Sequence, residues 1–498
     1  MSLIKDWTTE LRYKTYDQWS VDYVKELKMS IDSSNWRLNY HIQPQTGLLN
    51  DPNGFSYFNK KWHLFYQAYP MGPVHGVKSW FHLTSDNLID WQKEGLALLP
   101  DSDYDSHGVY SGSAFAVNDK LFLAYTGNVR NKSWERSSYQ LGAWMDKSNH
   151  IIKEKKPFIA APPKGYTNDF RDPQVFHQGD KYYLIIGAQN DALEGKVLTY
   201  MSKDLISWEL LGELSFTKEK MGFMVECPNL VFIEGKAVFL FCPQGLDKNI
   251  LSYKNIYPNT YITADSFDIE TNTLTSPSSL KNLDEGFDVY ATQAFNAPDG
   301  RALAVSWIGL PELSYPSDKE GWAHCLSLVK ELSLRDGKLI QLPASETKEL
   351  RENKQQIQGR LTEEKLLLST TKNSYELNLQ LEQGAKGTLS LLTDQQINSA
   401  LTLSFNTVNG TITINRENYG VDFERESENQ RSFSIPQDTL SLQVFVDRSV
   451  IEIFINDGQK VVTARVFPNN DQTGIILEGE NSLFSGNIWT LRSMRSEE

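Results

Sequence analysis

Residues 59–67, NKKWHLFYQ, return in altered spelling four more times along the chain: NDKLFLAYTG (118–127), GDKYYLIIGAQ (179–189), EGKAVFLFCPQG (234–245) and DGRALAVSWIG (299–309). Each copy is a Gly, Asn or Asp turn followed by an alternating run of aromatic and aliphatic residues, the pattern of a strand entered through a tight turn. The centres Phe65, Leu123, Leu184, Phe239 and Ala304 stand roughly 60 residues apart, near the period of blade-type repeats that each bury a face against the next. A second element recurs two periods apart, SDNLIDWQ (85–92) against SKDLISWE (202–209). Five such units of about four strands each predict an all-β fold built on a five-bladed β-propeller.

Residues 5–30 read as helix, with Tyr16, Trp19, Tyr23 and Leu27 three or four apart on one face among charges. Residues 1–35 are therefore expected as a helical appendage, and 36–342 as the propeller. At 343–360 the sequence becomes PASETKELRENKQQIQGR, a polar, helix-forming stretch after a Pro that reads as a linker. Residues 361–498 return to alternation, as in LQVFVDRSVIEIFIN (442–456), and predict a second all-β domain, a β-sandwich.

Composition narrows the function classes. With 498 residues, 22% charged and 40% apolar, the chain is ordinary for a globular protein, while 24 Phe, 22 Tyr and 12 Trp fit strands and a sugar-stacking site. The net charge of -14 argues against nucleic acid or an anionic membrane as partner, because both select a basic surface. It does not exclude a small anion, which needs only a local pair of cations or backbone donors. The start, MSLIKDWTTELRYKTYDQ, carries charges throughout, and no later stretch is apolar for the length of a membrane span; the expectation is a cytoplasmic protein. Cys227, Cys242 and Cys325 are too scattered for a disulfide framework or metal cluster and read as reduced, buried hydrophobes.

Aligning the repeats places the residue 12 to 14 positions before each centre at one structural station: Asp51 in LLNDPNGF, Ser111 in YSGSAF, Asp172 in FRDPQVF, Glu226 in VECPNLVF and Tyr290 in VYATQAF. Three of five are acids. In a ring of blades such stations lie at one height around one axis, so the carboxylates would converge at a repulsive cost that function alone justifies. The prolines after Asp51 and Asp172 are expected to hold both residues extended. Converging acids without a His cluster point to cleavage of a glycosidic bond, one acid protonating the leaving oxygen and another attacking or activating water; calcium is also compatible with Asp, Asn and Glu. Most nearby aromatics, Trp62, Phe65, Tyr66, Trp91, Phe115 and Trp307, read as core. Trp80, beside polar and basic residues, is the candidate sugar platform.

LLNDPNGF, FYQ (65–67), SGSA (111–114), FRDPQVF, ECPNL (226–230), YATQ (290–293) and DRSVIEIF (447–454) together resemble the invertase-type β-fructosidases, glycoside hydrolase family 32, over about residues 36–495. The resemblance implies a propeller joined to a sandwich and a retaining mechanism with no metal or other cofactor. It implies Asp51 as the nucleophile that forms a fructosyl-enzyme at C2, Glu226 as general acid then base, and Asp172 as the transition-state stabiliser. It places Asn50, Gln67, Ser111, Arg171 and Tyr290 around the fructose, and gives DRSVIEIF a structural part.

Two segments depart from the secreted members. HGVKSWFH (75–82) stands where many have Trp-Gly-His, and LVKEL (328–332), after GWAHCLSL, where they have Pro-Arg-Glu-Leu. Both resemble the intracellular sucrose-6-phosphate hydrolases of the family, implying sucrose 6-phosphate as the substrate. Its phosphate is on the glucose, so cations are expected on the leaving-group side, with His75, Lys78, Arg130, Lys132 and Arg136 as candidates. Hydrolysis of unphosphorylated sucrose or short fructooligosaccharides, or fructosyl transfer to another sugar, would use the same acids. A non-catalytic sugar-binding or interaction propeller is the alternative from another class.

Overall fold

The computed structural model describes residues 3–363, 365–370, 372–396, 398–423, 428–480 and 482–495; the outermost residues of the expected terminal segments, 1–2 and 496–498, lie outside them. Each repeat centre falls on the second strand of an antiparallel sheet: Lys61–Tyr69, Lys120–Arg130, Lys181–Asn190, Lys236–Gln244 and Ala302–Ile308. The strand before each of these is the inner strand of its sheet, at the edge in all but the first: Gly47–Phe58, Val109–Val117, Tyr166–Gln178, Met224–Ile233 and Val289–Asn296. The second strands are buried along nearly their whole length, which is why they read as aromatic and aliphatic runs rather than clean alternations.

Burial on both faces follows from how the sheets stack. The first and second share a core containing Phe65, Trp80, Leu123 and Tyr125; the second and third share Phe122 and Leu184; the third and fourth, Ile185 and Phe239; the fourth and fifth, Leu240 and Ala304. The fifth packs back on the first through Leu303, Val305, Leu64 and Phe55. A belt of side chains follows the same order. Asn53 Oδ1 accepts from Gly112 N at 2.9 Å, Ser113 Oγ from Val175 N at 2.9 Å, Gln174 Oε1 from Leu230 N at 2.6 Å, Asn229 Oδ1 from Ala294 N at 3.1 Å, and Gln293 Oε1 from Phe55 N at 2.7 Å. Each inner strand thus satisfies a buried backbone N–H of the next, and the fifth satisfies the first. Trp322–Ala323, late in the chain, pairs in parallel with Gly47–Leu48 in the first sheet.

The repeated SDNLIDWQ and SKDLISWE segments make one kind of turn between third and fourth strands. Leu88 and Leu205 adopt φ of 63° and 65°, and the Trp91 and Trp208 indoles donate to their carbonyls at 3.0 and 3.2 Å.

Beyond residue 350, two six-stranded antiparallel sheets face each other across one core that includes Tyr375, Leu389, Leu403, Val444 and Ile453. The stretch expected to be a helix-forming linker is a 3-10 turn, Ser345–Leu350, then a strand, Arg351–Arg360, on the edge of one of these sheets. Only Ile357 of that strand is buried, so its composition is that of a wet edge rather than of a helix. The 5–30 helix is likewise broken, into Thr9–Arg12, a 3-10 turn at Tyr16–Gln18, and Val21–Asp32. Thr8 and Ser20 cap the two α-helices, their side chains accepting from Leu11 N and Tyr23 N, and so divide the period. Tyr23, Leu27 and Ile31 form the buried face of the second helix, whereas Tyr16 and Trp19 lie outside it. No helix among the described residues is long and apolar enough to cross a membrane.

The DRSVIEIF hairpin meets the segment entering the first sheet. Asp447 accepts from the N–H groups of Asn39, Tyr40 and His41 at 2.8 to 3.0 Å, and His41 bridges Asp447 and Glu452 at 2.9 and 3.1 Å. Glu452 also takes Leu328 N at 2.7 Å and Lys330 Nζ at 3.3 Å. Burial disfavours a charged His41, but the two carboxylates outweigh it and lift its pKa to about 9.

Candidate active site

Every inner strand breaks register with its partner at the same station. In the first, Asn50 and Asp51 stand opposite Gln67; in the second, Tyr110 and Ser111 opposite Thr126; in the third, Asp172 and Pro173 opposite Ile186; in the fourth, Cys227 and Pro228 opposite Phe241. The fifth has Ala291 as its extra residue. A β-bulge re-aims side chains that would otherwise alternate across the sheet, and here it gathers Asp51, Ser111, Asp172, Glu226 and Tyr290. The expectation of an extended residue before each proline fails at Asp172, whose φ is 71°. That left-handed conformation is uncommon outside glycine; the bulge and a hydrogen bond from Asp172 N to Thr126 Oγ1 at 3.1 Å accompany it.

The acids are held by different donors. Asn50 Nδ2 donates to Asp51 Oδ1 at 2.9 Å, and Ser111 Oγ donates to Asp51 Oδ2. Asp172 Oδ2 accepts from Cys227 N at 2.9 Å. Glu226 receives Tyr290 OH at 2.7 Å on Oε2, and Arg171 Nε and Nη2 at 2.9 and 2.8 Å on Oε1. Burial pushes Asp51 above the ordinary carboxylate range, against the pull of Lys78, Ser111 and Asn50. Asp172 is raised by burial and by the Glu226 charge, with Arg171 opposing. Burial works against the Arg171 cation, but Glu226, Asp172 and Asp169 together hold it charged. Three acids with unlike surroundings around one point are the arrangement that divides acid, base and nucleophile roles. Among the described residues no group of three His, Cys, Asp or Glu is placed to hold a metal ion.

Several expected site residues lie elsewhere. Trp80 is fully buried, packed on Phe65 and Tyr125, with its indole N–H on the Tyr110 carbonyl at 3.0 Å. It braces the second bulge from within the core and offers no face to a sugar. Lys78, expected beside a phosphate, is buried beneath Asp51, its ammonium donating to Asn50 Oδ1 at 2.7 Å and Gln67 Oε1 at 2.9 Å. His75 sits edge-on to Trp307, and burial, with Lys78 and His324 nearby, keeps it neutral. Neither supplies a free cation on the leaving-group side.

Arg130 and Arg136 do share a cleft, of 610 Å³, with Asn131, Glu135, Ser137, Asn168 and Asp169; Lys132 is exposed on the same loop and does not line it. Asp169 joins this cleft to the acids, accepting from Arg136 at 2.6 Å and from Arg171 at 2.7 Å. The Nε atoms of Arg130 and Arg136 are buried without a hydrogen-bond partner. Sequence reasoning missed Asp169, although its place two residues before Arg171 on one strand puts both side chains on one face. It also missed Tyr13 of the N-terminal segment, which meets Trp134 edge-on at 4.9 Å, beside Tyr110, Arg130 and Arg136.

Comparison with known proteins matches residues 41–343 to the glycosyl hydrolases family 32 N-terminal domain and 346–490 to the family 32 C-terminal domain. The chain belongs to glycosyl hydrolase family 32. It is 49% identical to a sucrose-6-phosphate hydrolase of Lactococcus lactis subsp. lactis over 94% of this chain and 96% of that one. It is 46% identical to one of Pediococcus pentosaceus over 98% and 97%. The solved structure of the sucrose-6-phosphate hydrolase from Lactobacillus gasseri superposes with a TM-score of 0.94 at 44% identity, covering 98% of this chain and all of the other. Within family 32 the chain is thus similar along nearly its whole length to proteins so named.

Proposed function

We propose that this β-fructofuranosidase cleaves sucrose 6-phosphate to glucose 6-phosphate and fructose in the cytoplasm. The five sheets are read as the blades of a five-bladed propeller over residues 36–342, and the two six-stranded sheets, which take in Arg351–Arg360 of the expected linker, as a β-sandwich. The supporting observation is the convergence of Asp51, Asp172 and Glu226 at matching bulges, in a chain similar throughout to sucrose-6-phosphate hydrolases.

In this reading the Asp51 carboxylate attacks C2 of the fructosyl unit while Glu226 gives its proton to the bridging oxygen, releasing glucose 6-phosphate. Glu226 then takes a proton from water as the water oxygen displaces Asp51 from C2, and fructose leaves with its configuration retained. Asp172 accepts hydrogen bonds from fructosyl hydroxyls and strengthens them as positive charge develops. Asn50, Gln67, Ser111, Arg171 and Tyr290 line the pocket. The Arg130 and Arg136 cleft, linked to Glu226 through Asp169 and Arg171, takes the phosphate as a charge-assisted bidentate partner.

NMR of a turnover mixture tests the mechanism. The wild type should release β-fructofuranose first and Asp51→Asn none. An inverted first product, or undiminished turnover by Asp51→Asn, overturns it.

A further inference from the structure

Lys78 is buried directly under the Asp51 network, in a segment held by the N-terminal turns. Arg12 O accepts from Val77 N at 2.8 Å, and Tyr16 OH donates to Val77 O at 2.6 Å. Its ammonium meets two amide side chains, Asn50 and Gln67. An ammonium has only donors, so each amide must present its oxygen to it and turn its NH2 away. That fixes everything downstream. Asn50 Nδ2 is left to donate to Asp51 Oδ1 at 2.9 Å and to Gln67 Oε1 at 2.9 Å. Gln67 Nε2 donates to Ser111 Oγ at 2.6 Å, so the Ser111 hydrogen is directed to Asp51 Oδ2. Both oxygens of Asp51 then receive donors, the arrangement of an ionised carboxylate.

We infer that Lys78 is a positioning residue that sets the direction of both hydrogen bonds to the Asp51 carboxylate and thereby keeps the nucleophile ionised. It touches no reacting atom. Its charge also faces Asp51, Asp172 and Glu226 from three inner strands, with neutral His75 on its own segment and His324 from the loop beyond the fifth sheet's second strand. Burial opposes these carboxylates and brings Lys78 down to about 8. Without a donor-only group at this place either amide can turn over, Ser111 can reverse, and Asp51 can hold a proton.

The inference rests on Asp51 being the nucleophile, so Asp51→Asn accompanies the test: activity in that variant would refute the nucleophile assignment, whatever Lys78 does. With Asp51→Asn inactive, the pH profile of kcat/KM is compared for wild type and Lys78→Met, each checked for folding by circular dichroism. The acid limb reports ionisation of the free nucleophile. It should rise by about one pH unit or more, the size expected on losing a close opposite charge. A folded Lys78→Met with the limb within about 0.3 pH units of wild type overturns the inference. If Lys78→Met does not fold, Lys78→Arg and Lys78→Gln carry the same comparison. Arginine is also donor-only and glutamine is not, so the limb must lie higher in the Gln variant, and coincident limbs overturn the inference.

Discussion

Replacing Asp447 with alanine should destabilise the protein by about 4 kcal/mol, although Asp447 lies in no proposed site. Its carboxylate is fully buried and accepts from three backbone N–H groups and from His41 Nδ1, all between 2.8 and 3.0 Å. Truncation leaves the raised-pKa His41 with Glu452 alone, and breaking a buried ion pair from one side costs about 3–5 kcal/mol. Each stranded N–H adds up to about 1–3 kcal/mol, much of it recovered by water entering the vacated space. Asp447→Asn keeps one acceptor oxygen while losing the charge, and should fall near half the alanine loss. Urea unfolding followed by tryptophan fluorescence measures both, with the slope checked for constancy. A loss below about 1 kcal/mol in Asp447→Ala would refute the reading of this hairpin as the clamp on the segment entering the first sheet.

The same cluster predicts a pH dependence. His41 titrates near 9 when folded against an ordinary 6.5, so its contribution, about 3 kcal/mol, is complete below pH 6.5 and is lost as pH rises through 9; melting scans from pH 6 to 10 should show the fall. Tyr290→Phe removes a 2.7 Å hydrogen bond to Glu226 and should lower kcat/KM about 10- to 150-fold, equally for phosphorylated and unphosphorylated sucrose. Arg136→Met should affect both sugars through Asp169, but lower kcat/KM for sucrose 6-phosphate about tenfold further; equal losses in parallel assays would remove Arg136 from phosphate binding.

The repeat was legible in sequence because second strands buried on both faces must be apolar, and tight turns must carry Gly, Asn or Asp. The station of Asp51, Asp172 and Glu226 was legible because five equivalent strands place it 12 to 14 residues before each centre. The bulges were not, since an extra residue in a strand leaves no compositional mark, and so Asp172 was expected extended. Nor was the fate of individual cations. Lys78 and Arg136 look alike as letters, yet one is sealed under Asp51 and the other lines an open cleft. Arg351–Arg360 was misread because an edge strand wet on nearly every residue has the composition of a polar helix.

Substrate preference is decided by kcat/KM for sucrose 6-phosphate beside sucrose and a fructotriose, on the purified protein without added metal. A preference for the phosphorylated sugar of about tenfold or more, at least about 1.4 kcal/mol of transition-state stabilisation, is the predicted result. Equal or better use of sucrose or the triose would contradict it, leaving a general β-fructosidase whose Arg130 and Arg136 serve only the surface.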